Sequence, residues 1–242
     1  EYLASTGRPL EKSVVGHGES LSSMLIIFDW DGTLCDSTGT IVKAMCEAAR
    51  RQNAPVPADS AVLDVIGLSL PKAIAEIFPS LSAEDRDNLR LGYSSIYREL
   101  DRTPARLFPG AREILRELHD VGHHLAVATG KSRQGLDRVL QGLGADHYFH
   151  GSRCADESQS KPHPQMLHDL LDEFGYEPAE SLMIGDSELD LEMAQAAGMD
   201  RVGVSHGVHS AERLQRWNPL AVIDSLPQLL SLPCLSTARI EE

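Results

Sequence analysis

The stretch Leu25-Ile26-Ile27-Phe28-Asp29-Trp30-Asp31-Gly32-Thr33-Leu34 decides the fold class. An apolar run that ends in two carboxylates and a glycine reads as a buried strand delivering acids to a loop. Side chains alternate along a strand, so Asp29 and Asp31 share a face while Trp30 points away from them into the core. Two carboxylates held together raise one another's pKa unless a cation or a shared proton relieves them. The stretch therefore asks for a metal, for phosphate chemistry, or for both.

Working outward, the acidic loop is followed by a block of helical patterns with no strand, at 38–53, 60–66, 71–78 and 82–100, with Gly67 and Pro79 as punctuation. From Pro109-Gly110 the pattern alternates. Helix 111–120, strand 124–128, helix 132–143, strand 147–150, helix 164–174, strand 182–184, helix 188–197 and strand 201–204 follow, closed by strand 221–223 and helix 226–232. Alternation of this kind predicts an α/β fold, a doubly wound parallel sheet covered by helices. The core comprises 24–37 and 104–235, and 38–103 form an all-helical insertion. Residues 1–23, rich in Gly and Ser, are expected to be a flexible N-terminal tail, with Met24 placed where a natural start would fall.

A chain of 242 residues, 42% of them apolar, can bury a sizeable core. The formal charge of -14 argues against a nucleic-acid partner and against an anionic membrane surface. No apolar stretch approaches the roughly 20 residues that span a bilayer, and the first 23 residues lack the pattern of a signal peptide. Cys35, Cys46, Cys154 and Cys234 have no metal-ligand spacing and read as thiols of a reducing, cytoplasmic protein. No pattern in the chain specifies an oligomeric state.

In open parallel sheets the ligand crevice lies beyond the carboxyl ends of the strands. Four chain segments bring suitable residues there: Asp29, Asp31 and Thr33; Thr129-Gly130-Lys131; Lys161-Pro162; and Gly185-Asp186-Ser187 with Asp190. Together they suit phosphoryl transfer to a carboxylate and then to water. Asp29 is the candidate nucleophile and Asp31 the candidate proton carrier. The Thr129 hydroxyl and the Gly130 amide, ahead of a helix, can hold phosphate oxygens, and Lys161 supplies compensating charge. Asp186 completes an oxygen-rich Mg²⁺ site with Asp29 and Asp31, while Asp190 orients Lys161 or a metal-bound water. Gly32, Thr33 and Ser187 support these groups.

These four motifs, in this order, resemble those of the haloacid dehalogenase superfamily of phosphohydrolases from Met24 to the carboxyl-terminal helix. The resemblance implies a Rossmann-like core, Mg²⁺, an aspartyl-phosphate intermediate on Asp29, and the backbone carbonyl of Asp31 as a metal ligand. The helical insertion resembles the superfamily's cap domain. Lys161-Pro162-His163-Pro164, Ala194-Gln195-Ala196-Ala197-Gly198-Met199 and Gly203-Val204-Ser205-His206-Gly207-Val208-His209 are similar to the phosphoglycolate phosphatase-like branch. The implied substrate is a small phosphorylated metabolite, with 2-phosphoglycolate the leading guess.

A dehalogenase would lack an acid at the place of Asp31, but a β-phosphoglucomutase-like phosphomutase keeps both acids. A non-catalytic phosphate-binding protein of the same fold would be expected to lose Asp29 or Asp31. Within the insertion, Gly67 and Ser69 belong to a loop where Gly and Pro interrupt two helices, so they are candidates to face the site and set specificity. Arg50, Arg51, Lys72 and Arg98 are candidate cations for a substrate carboxylate, with solvation of a helix surface as the ordinary alternative. Deleting residues 1–23 is expected to leave turnover intact, as measured by comparing kcat of the trimmed and full chains.

Overall fold

The computed structural model describes residues 23–100 and 106–235; the expected tail and the boundary near Thr103 lie outside the described residues. Strand β1 (Leu25–Phe28) is the centre of a six-stranded, all-parallel sheet. It is flanked by β2 (His124–Thr129) and β4 (Ser181–Gly185). Outside these lie β3 (Gly151–Cys154), β5 (Asp200–Val204) and β6 (Ala221–Ile223), in the order β3-β2-β1-β4-β5-β6. All four residues of β1 are buried, as a continuous apolar strand covered on both faces requires.

The strand period sorts the core into two layers. Ile26 and Phe28 join Leu125, Val127, Leu182 and Ile184 beneath α5 (Ala111–Asp120) and α6 (Arg133–Leu143). Leu25 and Ile27 face the opposite way, with Ala126, Ala128 and Met183, against α7 (Gln165–Phe174) and α8 (Glu188–Ala196). Trp30 continues the first set, fully buried and edge-on to Phe149 at 6.3 Å. The same alternation leaves Asp29 and Asp31 to the other side.

Between β1 and α5 the chain forms α1 (Thr38–Arg51), α2 (Asp59–Leu63), α3 (Leu70–Ile77) and α4 (Ala83–Leu100). These helices close around an apolar centre of their own, including Ala44, Ala48, Val62, Ile74, Phe78, Leu89 and Ile96. The chain leaving and the chain re-entering the sheet domain run side by side: Asp36 N donates to Arg106 O at 2.8 Å and Phe108 N to Leu34 O at 2.9 Å.

Three elements differ from their sequence patterns. The aromatic run 147–150 reads as a strand, but Asp146–Tyr148 form a 3₁₀ turn and the paired strand is Gly151–Cys154. β3 is the edge of the sheet and is only partly buried, so it needs little of the apolar, β-branched character on which the pattern relies. The short helix α9 (Ala211–Gln215) has too few residues to show a period, and the closing helix is 3₁₀ over Leu226–Ser231. None of the four cysteines forms a disulfide. Among the described residues no helix is long and apolar enough to cross a membrane.

The entry to β1 is held by His123, buried, whose Nδ1 accepts the Met24 amide at 3.1 Å. Burial pulls its pKa below the ordinary 6.5. A histidine held neutral in the fold adds stability that is complete above the unfolded value and is lost as pH falls toward the folded one. Lowering the pH from about 7.5 to about 5.5 should therefore lower Tm, and His123→Leu should flatten that dependence in thermal unfolding.

Candidate active site

The sheet register brings the carboxyl ends of β1, β2 and β4 level, pairing Phe28 with Val127 and with Ile184. Asp29 leaves β1 there, its amide still bonded to Ile184 O at 2.9 Å. Lys161, fully buried, reaches it from the loop before α7: Nζ lies 2.6 Å from Asp29 Oδ1 and 2.6 Å from Asp190 Oδ1. The other Asp190 oxygen accepts from Ser187 N at 3.1 Å and Ser187 Oγ at 2.6 Å. The Ser187 hydroxyl in turn caps α8 through the Asp190 amide at 3.3 Å. A capping box thus starts a helix and aims a carboxylate at the buried lysine in one piece of local structure.

Asp186 follows β4 and is held from two sides. Thr33 Oγ1 donates to Asp186 Oδ1 at 2.8 Å, and the Val208 amide donates to Oδ2 at 2.8 Å. The backbone around it must be bare. A methyl group on Gly32, whose φ is +91°, or on Gly207 would collide with the Asp186 carboxyl. Gly207 and Val208 were visible in the sequence only as part of the Gly203-to-His209 segment; nothing in residue type marks a main-chain donor. In the same segment His206 Nε2 lies 3.0 Å from Thr33 O, and His209 Nδ1 accepts the Glu188 amide at 2.9 Å. Both therefore brace the loops.

Asp29, Asp186 and Asp190 each offer an oxygen, and the three lie within 4.8 Å of one another, all buried. Three carboxylates against one ammonium leave two negative charges in excess when all are ionised. Burial pushes Asp29 well above the usual carboxylate range, against the pull of Lys161 and with the help of Asp190 and Asp186. Burial, reinforced by Asp190, pushes Asp186 up to about 7. Burial would draw Lys161 down, but Asp190 and Asp29 outweigh it and hold the amine above its ordinary value. Carboxylate oxygens are what a hard divalent cation takes, so this donor set and its excess charge fit one.

Asp31 stands apart from that cluster. Its Oδ1 accepts from Ser37 Oγ at 2.5 Å and pairs with Lys131 Nζ at 2.9 Å. Its carboxylate is thus held by Ser37 and Lys131 and is not one of the three grouped acids. Lys131 also donates to the Tyr97 hydroxyl of α4 at 3.4 Å. Sequence reasoning placed Lys131 at a strand end without a role; its position directly after Thr129-Gly130 was the signal. Thr129 ends β2 fully buried, its hydroxyl accepting the Lys131 amide at 3.1 Å.

The insertion meets this site through the loop before α3. A Cβ on Gly130 would lie 2.6 Å from the carbonyl oxygens of Gly67 and Leu68, and the Ser69 amide donates to Ser160 Oγ at 2.8 Å. A cleft of about 780 Å³ opens beside this contact, with Gly67, Ser69, Asp31, Gly130 and Lys131 in its wall. Arg98 lines it as well, but Lys72, Arg50 and Arg51 do not. All three are exposed, and Arg50 pairs with Glu47 at 3.4 Å on α1.

Comparison with known proteins places this geometry. The family model for haloacid dehalogenase-like hydrolases matches residues 26–204. The chain is 34% identical over 210 residues to the "probable phosphatase IndB" of Dickeya dadantii, covering 85% of this chain and 91% of that one. It is 33% identical over 220 residues to a phosphoglycolate phosphatase of Vibrio vulnificus, covering 88% and 96%. Among solved structures, a hydrolase from Pseudomonas syringae superposes with a TM-score of 0.79 at 26% identity, over 86% of this chain and 96% of that one.

Removing the buried cation tests the electrostatic balance. In a chelator, Lys161→Met should cost about 3–5 kcal/mol by urea unfolding, because it strands Asp29 and Asp190 without a counter-charge.

Proposed function

The chain belongs to the haloacid dehalogenase-like hydrolases, and within that family we propose that it is a Mg²⁺-dependent phosphomonoesterase that passes a phosphoryl group to Asp29 and then to water. The observation that carries this reading is the environment of Asp29: a buried carboxylate at the end of the central strand, held by Lys161 at 2.6 Å and grouped with two further acids. An anion must attack an anion, so the incoming phosphoryl group needs positive partners at the same point. Lys161, the Gly130 amide and the start of α6 supply them from the chain. Bound to Asp29, Asp186 and the Asp31 carbonyl, with Asp190 behind, Mg²⁺ would neutralise the carboxylates and draw charge from the phosphoryl oxygens.

Asp31 lies on the cleft side, where a leaving group would emerge, and is assigned the proton. Its partners Ser37 and Lys131 keep it extended toward the cleft. As general acid it protonates the departing alkoxide; as general base it then takes a proton from the water that attacks the acyl phosphate. The helical insertion serves as a cap that carries one wall of the cleft. The relatives' names make 2-phosphoglycolate the first small metabolite to assay.

Phosphate release from a panel of esters, with and without Mg²⁺, tests the reading. Asp29→Asn is expected to lower kcat by about 10³-fold or more, and Asp31→Asn by about 10²–10⁴-fold. Asp186→Asn should raise the Mg²⁺ concentration needed for half-maximal rate. Turnover of Asp29→Asn at the parent rate would exclude the nucleophile assignment.

A further inference from the structure

The cleft beside Asp31 is larger than a two-carbon acid needs. At about 780 Å³ it falls within the roughly 300–1,000 Å³ that accommodates drug-sized ligands. Under the phosphatase reading, on which this inference rests, Asp31 protonates the leaving alkoxide, so the cleft on its side receives the alcohol half of the ester. A glycolate body is a handful of heavy atoms and would leave most of that space to water.

The walls carry the same message. Met45, Val65, Leu70 and Leu91 present apolar surface to the cleft, and Leu91 on α4 is 54% exposed although large and apolar. Such walls reward apolar area. Among the described residues four cations share the wall: Lys131, engaged by Asp31 at 2.9 Å, Arg90, engaged by Asp87 at 2.9 Å, Arg98, and Arg138, whose guanidinium lies 5.9 Å from the Tyr97 ring centroid. Tyr93 and Tyr97 stand together on α4, ring centroids 5.8 Å apart and tilted by 30°. The Tyr97 hydroxyl is 3.4 Å from the Lys131 amine that holds Asp31, so this aromatic surface begins close to the leaving-group position. Aromatic surface of this kind favours stacking or edge contact with a ring.

We propose that the ester this protein hydrolyses carries a ring-bearing body of about the bulk of a nucleoside monophosphate, in place of the two-carbon glycolate. Asp29 forms a bond to phosphorus as the ester P–O bond breaks, and the departing alkoxide takes the Asp31 proton and leaves through the cleft over α4 as a ring-bearing alcohol. Water then releases inorganic phosphate from Asp29.

The test is kcat/KM of the full chain with Mg²⁺ for 2-phosphoglycolate, a nucleoside 5′-monophosphate and 2-phenylethyl phosphate, three esters that all release an alkoxide. The expected result is at least a tenfold advantage for one of the ring-bearing esters over 2-phosphoglycolate. In Leu91→Asp, a surface change on the cleft wall, that advantage should shrink at least threefold. A preference for 2-phosphoglycolate, or an advantage that Leu91→Asp leaves unmoved, overturns the substrate class while leaving the phosphatase reading in place. Absence of Mg²⁺-dependent release from all three esters overturns both.

Discussion

The Lys161 ammonium, 2.6 Å from both Asp29 and Asp190, is the interaction on which the rest of the structure depends. Burying carboxylates in apolar surroundings is among the costliest acts a fold performs. Here it is repeated at the ends of two adjacent strands, β1 and β4. The cost is contained by one amine, by the capping box of α8, by the Thr33 hydroxyl and by the Val208 amide. Each of these comes from a different loop, so the strands must end level and the loops must converge before any of them helps. The parallel sheet is the device that makes four distant segments of chain into neighbours.

This containment is incomplete, and the incompleteness is useful. With all three acids ionised, two surplus negative charges remain, held in a space that backbone glycines keep tight around Asp186. A protein with a formal charge of -14 repels phosphorylated compounds at a distance. Under the phosphatase reading its attraction for them comes from a short-range arrangement, in which a cation bound at the three acids would reverse the local sign over a few ångströms. Screening by salt limits the long-range repulsion to about 8–10 Å, so the reversal needs to act only at close approach.

How much of this was legible in the sequence follows from what each feature requires of a side chain. Strands β1, β2 and β4 must be apolar along their centres because both faces are covered, and they read clearly. The acids and Lys161 are unusual where they stand, directly beyond or between such strands, and this made them candidates. Features built from main chain were silent: the Val208 amide, the carbonyls of Gly67 and Leu68, and the half-exposed edge strand β3. The pair between Asp31 and Lys131 was hidden for another reason. It joins residues 100 positions apart, brought together by the pairing of β1 with β2, and no local pattern marks such a pair. Arg50 and Lys72 show the converse, cations prominent in the sequence whose positions on the helices keep them off the cleft wall.

The close approach of Gly130 to the Gly67 and Leu68 carbonyls has a consequence for how such a chain diversifies. At Gly130 itself no side chain can be added without pushing the Gly67 and Leu68 carbonyls away. The opposite wall, formed by α4, has no such constraint at Leu91, which is 54% exposed. The cleft can therefore be reshaped from α4 without disturbing the contact that seats the insertion on the sheet domain.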